Sequence, residues 1–154
     1  MTALRRRLFL RFLPLVAAGV MLAACAPDPG PPPGGTPADL EVSVLRPGTG
    51  ALARGGDIVQ VHYTGWLYDE RAAGRKGTEF DGSRGRGEPL VFPLGTGRVI
   101  RGWDEGVAGM RVGEIRELAI PADLAYGRRG AGDVIPPNQP LLFEVELVGV
   151  QAAE

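Results

Sequence analysis

The chain has 154 residues, with 17 lysines and arginines against 18 aspartates and glutamates, which suits a single globular core and offers no basic excess for nucleic acid. Cys25 is the only cysteine and His62 the only histidine. A disulfide within one chain is therefore excluded, and a metal site of His and Cys ligands lacks its parts.

Residues 1–24 contain Arg5, Arg6, Arg7 and Arg11 and no acid, and end in 13 uncharged residues, FLPLVAAGVMLAA, too short to span a bilayer. This pattern predicts an export signal. The quartet LAAC, ending at Cys25, resembles the bacterial lipobox, which implies a lipid-anchored Cys25 rather than a catalytic thiol. Several acyl chains hold firmly because each buried methylene contributes roughly 0.8 kcal/mol. The run RRLFLR (Arg6 to Arg11) is similar to a twin-arginine motif, but Arg5 stands where Ser or Thr is usual, so both that route and the general secretory route remain open. Ala26 after the cysteine points to the outer membrane in a cell that has one. Without residues 1–24 the chain keeps 13 basic and 18 acidic residues, a formal charge of −5.

From Ala26 to Ala38 the sequence APDPGPPPGGTPA holds six prolines and three glycines. It lacks large apolar side chains and is expected to serve as a tether, so residues 25–39 are read as anchor and linker and 40–150 as the domain. LEVSVLR (Leu40 to Arg46) alternates and predicts a strand, PGTG a turn, and DIVQVHYTGWL (Asp57 to Leu67) a second strand. In that strand Val59, Val61 and Tyr63 share one face, so Tyr63 is expected to point to the core. YDERAAGRKGTEF and GSRGRGE read as loops on either side of the Phe80–Asp81 pair. PLVFPLG (Pro89 to Gly95) is a strand with Leu90, Phe92 and Leu94 on one side, and Pro93 marks it as edge or bulged.

VIRGWDEGV (Val99 to Val107) places Ile100, Trp103 and Val107 on one helical face and Arg101, Asp104 and Glu105 on the other. GEIRELAIP is a further strand, ADLAYG a turn, RRGAGDVIPPN a loop and PLLFEVELVGV a closing strand. About five strands accompany one short helix. The expected class is α+β: a twisted antiparallel sheet half-wrapped around that helix.

The succession VHYTGWL, FDGSRGRGEPLVFPLG, VIRGWDEGV, MRVGEIRELAIPADLAYG, VIPPN and LLFEVELVGV resembles the FKBP-type peptidyl-prolyl cis-trans isomerases from Leu40 to Val150. The resemblance implies an apolar cleft between sheet and helix that accepts a proline ring, with Trp103 as its floor. By the same resemblance Tyr63, Phe80, Phe92, Val99, Ile100, Tyr126 and Phe143 form the wall, and Asp81 and Arg86 the polar rim. Tyr63, Asp81 and Tyr126 are implied to be catalytic. Implied partners are proline-containing exported polypeptides and macrolide inhibitors; no cofactor is expected, and the protein is expected to be a monomer. A binding module or holdase using the same cleft with weak turnover is the competing reading.

Rotation of an X–Pro bond asks for no nucleophile, only the loss of amide resonance across a barrier of roughly 18–20 kcal/mol. An apolar cavity disfavours the charge-separated planar amide relative to the twisted one. Hydrolase chemistry would have to use His62, on the strand face opposite Tyr63, with Ser43 or Ser83. Two segments depart from the short family pattern and are expected to border the cleft: a longer loop from Trp66 to Glu79, and Ala131 and Gly132 in RRGAGDVIPPN.

Overall fold

The computed structural model describes residues 30–153; the expected export signal and Cys25 lie outside the described residues. The elements follow in chain order as β1 (Glu41–Arg46), β2 (Ile58–Tyr68), β3 (Lys76–Gly82), β4 (Leu90–Pro93), α1 (Arg101–Val107), β5 (Ile115–Ile120) and β6 (Leu141–Gln151). All strand pairs are antiparallel, in the order β1-β5-β6-β2-β3. β4 also pairs with β2, taking Ile58 to Val61, while β3 takes Thr64 to Tyr68. One sheet edge is thus shared by two short strands laid end to end, and Pro93 sits on the β4 part of it, where a missing N–H does least damage.

The α+β reading holds, with six strands rather than five. The additional strand, β3, hides in a segment read as loop because only Phe80 of its residues joins the core side, the rest being polar or glycine. A strand at a sheet edge with one wet face carries little periodic apolar signal. β1 shows the reverse: its alternation is genuine, yet all six residues are exposed. Val42 and Val44 lie opposite Leu118 and Arg116 on β5, beyond the cover of α1.

Two glycines let the helix sit flat on the sheet. A Cβ on Gly102 would meet Ile120 Cγ2 at 2.4 Å, and one on Gly106 would meet Leu118 Cδ1 at 2.8 Å. With no side chain in the way, α1 buries Trp103 and Val107 against a core that includes Val59, Val61, Leu118, Ile120, Phe143 and Val145. Arg101 and Glu105, on the far side, pair with each other at 3.2 Å.

The long loop after β2 does not border the cleft. It folds over the outer face of the sheet, where Tyr68, Ala119 and Leu142 form a second, small buried cluster. Arg75 reaches Glu41 on β1 at 2.5 Å and Glu117 on β5 at 2.9 Å, and Lys76 reaches Glu144 on β6 at 3.2 Å while lying over the Trp66 ring. The carboxylates of β1, β5 and β6 that point outward supply the landing sites. Ala131 and Gly132 do not line the cleft either: Ala131 exchanges both backbone hydrogen bonds with Ile135, closing the loop on itself.

The Pro/Gly-rich segment also differs from a free linker over its described part. The Gly34 carbonyl accepts the Glu70 N–H at 2.9 Å, Asn138 Nδ2 donates to the Gly30 carbonyl, and Pro37 is buried. A Cβ on Gly34 would stand 3.0 Å from the Tyr68 carbonyl oxygen. The segment docks through backbone groups and the absence of side chains, so its lack of large apolar residues does not prevent packing.

Candidate active site

β2 carries Tyr63 to the open end of the core, two residues beyond Val61 on the same face, and β6 sets Phe143 diagonally across from it. Gly65, next on that face, is required to be bare: a Cβ there would lie 2.6 Å from the Phe143 ring and 2.8 Å from the Phe80 ring. The two phenyl rings therefore meet edge to face at 5.6 Å. Trp103 rises from α1 between them and Tyr63, with centroid distances of 5.2 Å to Phe143 and 5.0 Å to Tyr63, both edge to face. This is the favoured geometry for aromatic quadrupoles. The indole Nε1 is buried and has no hydrogen-bond partner among the described residues.

Above these rings lies a hollow of about 250 Å³ lined by Tyr63, Phe80, Asp81, Val99, Ile100, Trp103, Tyr126 and Phe143, with Leu90 and Arg98 at its edge positions. Of the sequence-derived set, Phe92 is misplaced. It is buried beneath the floor, 5.8 Å from the Trp103 ring, and does not line the hollow. Leu90 lines it instead, because Leu90 stands opposite Val61 whereas Phe92 stands opposite Val59, one step deeper along β2. Arg98 joins the lining as well, and its only signal in the sequence is its position directly before Val99.

The rim is a closed polar triangle. Tyr63 Oη donates to Asp81 Oδ2 at 2.5 Å and accepts from Arg86 Nη2 at 3.0 Å, while Arg86 Nη1 donates to Asp81 Oδ1 at 2.8 Å. The Gly82 N–H adds a third donor to Asp81. Burial alone would raise the Asp81 carboxyl, but the hydrogen bonds from Tyr63, Arg86 and Gly82 outweigh it and hold the group below the usual carboxylate range. Burial, then the Asp81 carboxylate, pushes the Tyr63 phenol up. Tyr63 and Asp81 satisfy each other and keep no proton in play near neutral pH.

Besides the indole Nε1, two further donors remain unspent. The Tyr126 hydroxyl makes no hydrogen bond among the described residues, and burial followed by the Asp81 charge raises its pKa, so it stays protonated. The Ile100 N–H likewise has no acceptor within the described chain, since Ile100 precedes the first turn of α1 in an extended conformation. His62 and Ser83 do come together, Nδ1 to Oγ at 3.0 Å, but on the other side of β2. Ser83 is fully buried and its Oγ accepts the Tyr63 N–H. It staples the β3 turn to β2 and is closed to any substrate.

Other hollows do not compete. One of about 300 Å³ lies across Phe80 and Asp81 and is lined mainly by Thr64, Glu79, Gly82 and Arg84; another, of about 470 Å³, is bounded by the docked Pro/Gly segment itself. Neither gathers several rings around free donors.

Residues 50–148 match the family described as FKBP-type peptidyl-prolyl cis-trans isomerase. The chain belongs to that family. This isomerase is 51% identical over 123 residues to a peptidyl-prolyl cis-trans isomerase of Saccharomyces cerevisiae, covering 77% of its own length and 87% of the yeast protein. It is 50% identical over 111 residues to the FK506-binding protein of Neisseria meningitidis serogroup A, covering 72% and 95%. Among solved structures it is similar to FkpA from Escherichia coli, with a TM-score of 0.64 and 43% identity over 75% of the isomerase and 49% of that longer chain.

Proposed function

We propose that this FKBP-type isomerase turns the X–Pro bonds of exported polypeptides by desolvating the amide in the Trp103 hollow and steering it with two donors. The observation that carries this reading is the division of polar groups around the rings. Tyr63, Asp81 and Arg86 spend their hydrogen bonds on one another, whereas Tyr126 Oη and the Ile100 N–H are left for substrate carbonyls. The proline ring rests on the Trp103 indole between Phe80 and Phe143, the apolar wall withdraws water from the planar amide, and the twisted form loses less by that withdrawal. Tyr63, Asp81 and Arg86 act as positioning residues that fix the rim beside the reacting bond.

No step in this mechanism moves a proton. Asp81 has a folded pKa below its unfolded value, so what it contributes to stability is complete above the unfolded carboxylate pKa of about 4 and is lost as pH falls through the folded value. Tyr63 and Tyr126 titrate above the usual tyrosine value of about 10, so their stabilising contribution is present below it and lost only as pH rises through the folded values. A protease-coupled assay on Ala-Leu-Pro-Phe peptides with residues 30–154 should show acceleration, with kcat/KM level between about pH 5 and 9. A bell-shaped profile in that range would contradict the desolvation mechanism. Binding without acceleration would make the domain a holdase.

The same reading extends to place and ligands. The LAAC signal supports acylation of Cys25 and attachment to a membrane outside the cytoplasm. Cys25→Ser is expected to release the protein to the soluble fraction, and retention on membranes would refute the anchor. FK506, which the Neisseria relative is named for binding, is expected to compete with peptide in the hollow.

A further inference from the structure

We infer that Arg98 makes the cleft selective for clients that carry an acidic residue next to the proline. The inference rests on the isomerase reading of the same site. Among the residues lining the hollow, Asp81 and Arg98 are the charged ones. The Asp81 charge is engaged by Arg86, by the Tyr63 hydroxyl and by the Gly82 N–H. Arg98 forms no ion pair among the described residues. The mouth of an apolar cleft therefore presents one uncompensated positive charge, whereas Arg86, the cation of the rim, has a carboxylate partner in Asp81.

The backbone that carries this charge is held in place. Arg98 ends the turn that joins β4 to α1, and Asp104 of the helix accepts the N–H groups of both Gly95 and Gly97, at 2.8 and 2.9 Å. Thr96 Oγ1 closes the other side of the turn on the Pro93 carbonyl. The backbone under Arg98 is thus clamped to the helix whose Trp103 forms the floor. A hollow of about 250 Å³ takes the proline ring and its amide, so a neighbouring side chain of the client is left at the rim, and Arg98, directly before Val99 and Ile100, is part of that lining. A carboxylate there gains a partner without displacing an existing one. A client lysine meets a like charge.

The test uses two peptide series, with Glu, Gln, Lys or Leu placed either before or after proline, at low ionic strength. Both kcat/KM and the Kd of the same peptides are read as Glu-to-Gln ratios within each variant, so that any general loss of activity cancels. Wild type is expected to favour Glu over Gln by about two- to fivefold in one of the series, the size of an exposed ion pair, and the preference should fade near 1 M salt, where screening acts within about 3 Å. R98E should invert it to a preference for Lys. Glu-to-Gln ratios of one in both series, or a wild-type ratio that persists in R98E, would overturn the inference. Failure of the isomerase reading shows separately, as no acceleration of the Leu peptides, and the Kd ratios then still decide the role of Arg98.

Discussion

The two faces of the sheet solve opposite problems with the same strands. On the inner face, β2, β5 and β6 present Tyr63, Leu118 and Phe143 to α1, and order comes from rings packed edge to face. On the outer face the intervening residues present Glu117, Glu144 and Glu146, and order comes from charge: Glu117 with Arg75, Glu144 with Lys76, and Glu146 with both Arg46 and Arg84. The inner face leaves donors unspent over an apolar floor, whereas the outer face pairs its charges. A binding surface needs unsatisfied groups that water or a ligand can meet, while a covering surface works best with none.

The sharpest way to break this contrast is at the floor. Trp103→Ala is expected to cost about 3–5 kcal/mol in denaturant unfolding, because a buried indole leaves a cavity that its ring neighbours cannot fill, and to abolish measurable isomerisation. A variant that kept both would place the hollow elsewhere. Next comes an unspent donor. Tyr126→Phe should lower kcat/KM by roughly two- to twelvefold, the worth of one neutral hydrogen bond, with unfolding free energy unchanged to within about 0.5 kcal/mol. A loss of stability instead would give Tyr126 a structural role. The smallest effect belongs to the outer face: Arg75→Ala should destabilise by about 1 kcal/mol or less, since its pairs are partly exposed, and leave kcat/KM untouched. A change in turnover there would mean that the two faces communicate.

Much of this contrast was legible from residue order alone. The spacing of Ile100, Trp103 and Val107 gave the buried side of α1, and the alternation of Val59, Val61 and Tyr63 gave the inward direction of Tyr63. Depth was not legible. Parity places Leu90 and Phe92 on one face, but which of them reaches the hollow depends on their register against β2, and register is a property of the pairing rather than of either strand. β3 carries no legible strand signal because it is polar and at an edge, with one side chain inside. The path of the Trp66–Glu79 loop was hidden for another reason: its direction is set by Glu41, Glu117 and Glu144, which lie in three other elements far along the chain.

The docking of Pro37, Gly34 and Gly30 onto the domain changes what an acylated Cys25 would do. Four residues, 26–29, separate that cysteine from Gly30, and five extended steps reach at most about 18 Å whatever their path. An enzyme fastened there would stay within that reach of the lipid surface instead of swinging on a long leash. Its customers would then be chains passing within a molecular diameter of that bilayer.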